Sequence, residues 1–506
     1  MGEQIVVTAA IILHEGKILL AQRNPGDEHG LLWEFPGGKL EPNEQPTVGL
    51  QREIKEELDL DITVGEIFQV ECHHSSQKTV VLLSYLCYYT VGQAKTLDCH
   101  DFCWVRPDQL KDYQYPPADQ AIVARLMQKY GQPGWTWSRP EVTGQPHGSR
   151  SRRKIEHIQH FLALNNLPGT SGFADVHMVH NALPELDWDE VDLSWAAFGK
   201  RAAAPLLINA ITGGTPEVEQ INRSLARCAR KFGIAMAVGS QTAALTDPKQ
   251  SSSFQVVREE HPEGLVLANV GAHLDPEKAA RAVEMLQADA LQIHLNVPQE
   301  LAMAEGERKF RGWRNNIVEL VQHIQVPLII KEVGFGLSRE TVAELKSLGV
   351  QHFDVGGHGG TNFIAIEESR RGLTSSGLES WGIPTVCSTV EVYTEGVPGE
   401  LIATGGITSP LDGVKAIALG ATAFGVVGEL LRTLCLHSEA DLIETLERWM
   451  ASLKLLYVMC GAKDTQAIRR HPLVITGKSR EWLQQRGINL SAYARRPSYA
   501  SRPVKS

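Results

Sequence analysis

His294-Leu295-Asn296-Val297-Pro298-Gln299-Glu300 follows the apolar run Ala290-Leu291-Gln292-Ile293. The run reads as a short buried strand. A strand that stops on His, Asn, Gln and Glu places four hydrogen-bonding side chains at one mouth. In a (β/α)8 barrel the chemistry sits at the C-terminal ends of the strands. The fold therefore turns on whether the chain supplies seven more such strands.

Working outward, it does. Pro205–Gly214, Gly233–Gln241 and Leu265–Gly271 precede Ala290–Asn296. Pro327–Gly334, His352–Gly360, Glu400–Ile407 and Ala423–Gly428 follow it. Each run closes on Gly or polar residues. Helical patterns such as Pro216–Lys231, Pro276–Leu286 and Ser338–Leu348 lie between most of them. Strands alternating with helices argue for a parallel sheet, and eight units argue for closure. The sequence predicts an α/β protein with a TIM barrel over residues 151–480.

Composition sets the bounds. The chain has 506 residues, 43% hydrophobic and 21% charged, which is ordinary globular usage with room for two to four domains. A net charge of −10 argues against a nucleic-acid or bilayer-surface role. No apolar run approaches a membrane span. Glu3 and the lack of a basic start do not fit a signal peptide. Gly2 without Ser or Thr at residue 6 argues against myristoylation. The eight cysteines lack a pairing rhythm. Cys99 and Cys103 flank His100 and Asp101 without a second pair at zinc spacing. Reduced thiols in a cytoplasmic homo-oligomer are the expectation.

Residues 1–128 form a separate α/β unit. Ile5–Leu13 and Lys17–Gln22 read as a hairpin around Glu15-Gly16. The stretch Phe35-Pro36-Gly37-Gly38-Lys39-Leu40-Glu41-Pro42-Asn43-Glu44 leads into the helical Pro46–Leu58. Glu53, Glu56 and Glu57 stand at i, i+3 and i+4, on one helix face. Like charges so spaced cost roughly 0.2–0.5 kcal/mol per pair. Hard oxygen ligands converging on Mg2+ would remove that cost. A solvated acidic face is the alternative.

Gly38, five residues, Glu44, seven residues, then Arg52-Glu53-Ile54-Lys55-Glu56-Glu57-Leu58 resembles the Nudix box. The likeness runs over residues 4–128 and is closest to MutT-like nucleotide pyrophosphohydrolases, which implies an α/β/α sandwich. It implies metal ligation by Glu53, Glu56 and Glu57, with Glu53 also catalytic. Arg52 and Glu44 would brace the loop–helix–loop. Asp98, six residues before Trp104, would be a further acidic ligand or base. Asp119, in Tyr115-Pro116-Pro117-Ala118-Asp119, would read a nucleobase edge. Asp59 departs from the box, which ends in Gly. Asp tolerates the left-handed geometry that a helix end often needs, so folding and activity are expected to survive. The full box also separates this unit from the type 1 isomerases built on the same fold.

Residues 129–150 read as a linker, broken by Gly131, Pro133, Gly134, Pro140, Gly144, Pro146 and Gly148. The basic cluster Arg150–Lys154 is either a solvated face or a grip on diphosphate, whose oxygens match Arg forks. Gly405-Gly406 and Val427-Gly428 close the last two runs, where barrels commonly bind phosphate. Gly357-His358-Gly359 lacks the context of a dinucleotide fingerprint. Lys331 at a strand end would be costly without an anionic partner, and a reduced flavin is one.

Arg153-Lys154-Ile155-Glu156-His157, Thr212-Gly213-Gly214, Gly239-Ser240-Gln241, Asn269, His294-Leu295-Asn296, Gln299-Glu300, Lys331, Gly359-Gly360-Thr361 and Gly405-Gly406 occur in this order. Together they resemble the type 2, FMN-dependent isopentenyl-diphosphate isomerases. The likeness implies that Thr212, Gly213, Ser240, Asn269, Lys331, Thr361, Gly405, Gly406, Val427 and Gly428 hold FMN. It assigns Arg153, Lys154, His157 and Gln299 to the isoprenyl diphosphate, and Glu300 to Mg2+. Gln299, His294, Asn296 and Glu367 are the implied catalytic positions, and NADPH the implied flavin reductant. Ile211 and Thr242 depart from the common Met and Arg, and the second bears on substrate binding. The rivals are a 2-hydroxy-acid oxidase-like flavin barrel and a Nudix hydrolase with a non-catalytic barrel. The former would need an Arg gripping a carboxylate, whereas here the basic cluster precedes the barrel. Residues 481–506 read as an extension, disordered from Ala494 on.

Overall fold

The computed structural model describes residues 3–14, 16–41, 44–74, 78–91, 94–130, 170–210, 213–214, 216–370, 376–436 and 438–497. Residues 131–150 of the expected linker and the cluster with Arg153, Lys154 and His157 lie outside these residues, as do Ile211 and Thr212; the first two linker positions belong to the helix that ends at Tyr130. By contact density the chain divides into two units, Met1–His147 and Gly148–Ser506.

The first unit runs β1 (Glu3–His14), β2 (Lys17–Gln22), β3 (Trp33–Glu34), β4 (Gly37–Lys39), α1 (Pro46–Leu58), β5 (Asp61–His74), β6 (Lys78–Val91), β7 (Asp101–Val105) and α2 (Pro117–Tyr130). The hairpin forms where expected, with Leu13 opposite Ile18. The sheet order is β3-β2-β1-β6-β5, with β4 on β1 and β7 on β2. β1 and β6 run parallel, Ile5 opposite Val80. Ala9 through Leu13 are all buried, so this stretch of β1 is covered on both faces. Pro46 opens α1, where a missing N–H costs nothing. Leu50, Ile54 and Leu58 repeat at i, i+4 and i+8 and are fully buried. Each such burial is worth roughly 1.5–3 kcal/mol. That stripe turns the acidic face of α1 toward β4. Asp59 ends the helix in left-handed geometry, φ 54° and ψ 28°, its N–H on the Lys55 carbonyl.

The second unit holds a closed eight-stranded parallel barrel. Its strands are Leu206–Ile208, Ala235–Ala237, Val266–Gly271, Ala290–Leu295, Leu328–Glu332, His352–Asp354, Leu401–Thr404 and Ala423–Val426. Leu207 pairs with Ala235 on one side and Gly425 on the other, which closes the ring. The helices Pro216–Phe232, Pro276–Leu286 and Arg339–Ser347 fall where the periodicity placed them. Several strands stop short of their apolar runs. The sixth ends at Asp354, not Gly360, because Gly356 and Gly359 adopt φ of 46° and 111°. There the regular strand breaks: the Gly356 N–H turns back to Asp354 Oδ1, while the Gly357 N–H still reaches the Thr404 carbonyl.

An antiparallel pair ties the ends of this unit together. Val176–Met178 runs against Leu473–Ile475, with His177 opposite Val474. The extension is ordered as far as residue 497, and the rest of the tail expected to be disordered lies outside the described residues. Ser491–Ala494 is helical, Tyr493 is buried, and Arg496 donates to the Ala418 carbonyl at 2.6 Å while lying 4.2 Å from the Tyr493 ring. A basic composition hid an arginine that caps backbone carbonyls.

Candidate functional sites

In the first unit, Arg52 is the hub. Its guanidinium grips Glu44 through Nε and Nη2, both at 2.9 Å, and its Nη1 reaches Glu53 and Glu56 at 2.9 Å. Glu44 in turn accepts the Glu41 N–H. This fork locks the loop before α1 onto the helix, the bracing role expected for Arg52 and Glu44. Gly38 sits where any Cβ would strike the Glu53 carboxylate. Glu57 accepts the Gly37 N–H at 3.1 Å. Glu53 and Glu57 therefore both lie against β4, while Glu56 is more than half exposed and turned to Arg52.

Charge crowds around Glu57. Burial, then Glu34, then Glu53 and Asp98 push its carboxyl up to about 8, against the pull of the Gly37 N–H. Asp98 is exposed, and its N–H donates to the Glu57 carbonyl. The donor set, hard carboxylates with too little compensating charge, fits a divalent cation. Among the described residues no three Asp, Glu, His or Cys side chains converge at the spacing of an assembled metal centre.

Next to this cluster, Phe35 and Tyr115 stack at 6.3 Å between ring centroids. Asp119 is buried at the start of α2, accepts the Phe35 N–H at 3.4 Å, and is pushed up to about 7 by burial and by Glu34. Sequence reasoning missed Arg23 at the end of β2. It pairs with Glu34, yet its Nε is buried and without a partner. An arginine between two apolar strand ends was the available signal.

In the barrel, a cavity of about 280 Å3 opens at the C-terminal ends of strands five to eight and of the first, whose Asn209 and Ala210 also line it. Six expected residues line it: Lys331, Thr361, Gly405, Gly406, Val427 and Gly428. A Cβ on Gly405 would meet the Gly357 carbonyl oxygen, and one on Gly406 that of Gly359. The two loops interleave only because side chains are absent, which leaves bare backbone at the wall. Lys331 is buried, its ammonium on the Glu332 carbonyl at 2.7 Å. The Glu332 carboxylate accepts the N–H groups of Val333, Gly334 and Phe335 at 2.6–3.1 Å, and burial pushes it up to about 7. Arg432 also lines the cavity. A buried cation, a second basic side chain and a Gly-lined wall suit a flat anionic ligand with a phosphate, as FMN is.

Other expected residues lie apart from this cavity's lining. Ser240 Oγ is 3.0 Å from Thr242 Oγ1, and Gly213, at φ 132°, packs on Phe254. Asn269 and His294 join a buried row of polar groups with Gln292, Asn209, Asp354 and Thr404. Sequence reasoning missed the last four. Their signal was a polar residue inside an apolar strand, with Gln292 and His294 two apart and so on one face. Asn296 Nδ2 donates to Glu300 Oε1 at 2.9 Å, and the Glu307 N–H to Oε2 at 2.8 Å. Gln299 is 3.5 Å from Asn296. Glu367 is buried and paired with Arg370, which also reaches Glu305 at 3.2 Å.

A closed parallel barrel with a Gly-rich, basic mouth defines a phosphate-binding (β/α)8 class, and the family match narrows it to flavin. The model of FMN-dependent dehydrogenases matches residues 269–475, and that of the NUDIX domain residues 7–125. An isopentenyl-diphosphate delta-isomerase of Moorella thermoacetica is 49% identical over 337 residues, covering 67% of this chain and 97% of that protein. One from Geobacillus sp. is 45% identical over 347 residues, covering 68% and 99%. The structure of mandelate oxidase with (S)-2-phenylpropionate covers 64% of this chain and 96% of its own, at 17% identity and a TM-score of 0.47. The chain belongs to the type 2 isopentenyl-diphosphate delta-isomerase family and carries an N-terminal NUDIX domain. Among the described residues no helix is long and apolar enough to cross a membrane.

Proposed function

We propose that the barrel interconverts isopentenyl and dimethylallyl diphosphate, and that the NUDIX domain hydrolyses a nucleoside triphosphate or a related diphosphate with Mg2+. The observation that carries the first activity is 49% identity across nearly the full length of a protein named for it. The domain match and the acidic face of α1 support the second.

When bound and reduced by NADPH, FMN would supply the proton donor and acceptor for the isoprenyl carbons, with no net redox change. Lys331, Thr361, Gly405, Gly406, Val427 and Gly428 would hold it, with Thr212, Gly213, Ser240 and Asn269 completing the set. Lys331 offers a buried positive charge to a reduced, anionic ring. Asn296 and the Glu307 N–H hold Glu300 in one orientation, ready for a Mg2+ on the diphosphate. Arg153, Lys154, His157 and Gln299 would grip the same oxygens, away from the reacting carbons. His294 and Glu367 would line the isoprenyl end. A pocket that excluded water would protect a cation-like species at the tertiary carbon from capture, with fixed charge and dipoles in place of solvent.

In the first unit, Glu53, Glu56 and Glu57 would bind Mg2+, and Asp98 would add a ligand or base. Asp119 and the Phe35–Tyr115 stack would seat a base. Isomerase assays with and without FMN and NADPH, beside hydrolysis of a nucleotide and isoprenyl diphosphate panel, test both activities. Glu300→Gln is expected to abolish isomerisation and keep the flavin colour. Glu57→Gln is expected to abolish hydrolysis alone. Isomerisation that proceeds without flavin would overturn the first reading. Hydrolysis that survives Glu57→Gln would overturn the second.

A further inference from the structure

Asn209 follows the first barrel strand, Gln292 sits on the fourth, and Asp354 ends the sixth. These strands are not neighbours, so their side chains meet only through the barrel interior. All three residues are buried. Which way each amide points is decided by its partners.

The Ala210 backbone N–H donates to Asn209 Oδ1 at 2.8 Å. A backbone N–H can only donate, so that atom is the oxygen. Asn209 Nδ2 then donates to Asp354 Oδ2 at 2.7 Å. The Asp354 carboxylate also accepts from the Thr404 hydroxyl and, at 3.3 Å, from the Gly356 N–H. Gln292 approaches Asn209 Oδ1 at 3.0 Å and must donate there through Nε2. Its Oε1 is left to accept from Asn269 Nδ2 at 2.9 Å. Asn269 Oδ1 therefore faces His294 Nδ1 at 2.9 Å, and that nitrogen must carry the hydrogen. The Asn269 backbone is itself clamped by Gln241, whose Oε1 accepts its N–H at 3.0 Å.

We propose that Gln292 is a positioning residue that, through Asn269, holds neutral His294 as the Nδ1–H tautomer, so that Nε2 is the ring nitrogen that takes up a proton. Nε2 lies beside Gly271, where an added Cβ would come within 3.2 Å of it. The direction runs one way along the row because two fixed groups set it: the Ala210 N–H and the Asp354 carboxylate. Gln292 is the link without a substitute. Were Asn209 lost, Gln292 Nε2 would still face Asp354 Oδ2 at 3.5 Å, and the direction would persist. The inference stands on hydrogen-bond geometry and does not depend on the isomerase reading.

The test is 15N spectroscopy of histidine-labelled full chain at about pH 9, where imidazoles are neutral. The His294 signals are assigned by their loss in His294→Gln. The wild type is expected to show the hydrogen on Nδ1 alone. Gln292→Met keeps length and bulk but removes both amide partners, so Asn269 can turn. Its two ring shifts are expected to collapse toward their mean. Asn209→Ala is expected to leave them in place. Three results would overturn the proposal: an Nε2–H ring in the wild type, an unchanged spectrum in Gln292→Met, or an equal collapse in Asn209→Ala. Should neither variant fold, the wild-type spectrum decides.

Discussion

Glu57 and Asp354 are both carboxylates turned into protein, and the two units treat them in opposite ways. Glu57 accepts one backbone N–H and is surrounded by Glu34, Glu53 and Asp98. Asp354 is more deeply buried, yet Asn209, Thr404 and the Gly356 N–H all donate to it. One site stores unbalanced negative charge, and the other has neutralised its charge with dipoles. The contrast teaches that burial alone does not mark a cation site. A shortage of donors does.

The comparison breaks first at Glu57. Its folded carboxyl is raised from 4.5 to about 8, so the folded state binds this proton more tightly than the unfolded one. The stability it contributes is complete below about pH 4.5 and is lost as pH rises through about 8. In chelator, the first unit is expected to lose at most about 5 kcal/mol across that window, and Glu57→Gln to flatten the loss. Mg2+ should restore stability at the alkaline end. A flat urea-midpoint profile in the wild type would remove the charge imbalance from the argument.

Asp354→Leu comes next. It strands buried donors on Asn209 and Thr404 and is expected to destabilise the barrel by about 3 kcal/mol, read from denaturant unfolding. A loss below about 1 kcal/mol would mean that the carboxylate is poorly satisfied after all. Lys331→Met is expected to weaken FMN binding about tenfold, or about 1.4 kcal/mol, by titration with free flavin, and to lower the potential of bound FMN. Unchanged affinity and potential would remove Lys331 from the flavin wall. The smallest effect belongs to Asp59→Gly. Glycine relieves the left-handed backbone, but the variant loses ion pairs to Lys55 and Lys95 at 2.8 and 2.7 Å. Both pairs are exposed and weak, so the net change in stability should stay within about 0.5 kcal/mol. A larger loss would show that the lysines, not the helix end, keep Asp at this position.

The barrel was legible because each strand announces itself locally, as an apolar run closed by glycine or polar residues. The helix α1 was legible for a similar reason: Leu50, Ile54 and Leu58 repeat at a helical period. The row behind His294 was not. Asn209, Gln292 and Asp354 are far apart in sequence, and only closure of the ring makes them partners. Arg23 was missed because its carboxylate partner Glu34 lies on another strand, and Arg496 because it stands beside Arg495 in a basic stretch that looks the same whether it faces water or a buried carbonyl.

The pairing of Val176–Met178 with Leu473–Ile475, and of the first barrel strand with the eighth, also sets a schedule for synthesis. The NUDIX domain is complete when Tyr130 leaves the ribosome, whereas the ring cannot close until Val426 follows. At about 5–20 residues per second, those roughly 300 residues take about 15–60 s. For that time open parallel strands, largely apolar and with unpaired edges, follow a finished domain. The nascent barrel is therefore expected to be the chain's main client for chaperones, and the NUDIX domain a folded leader ahead of it.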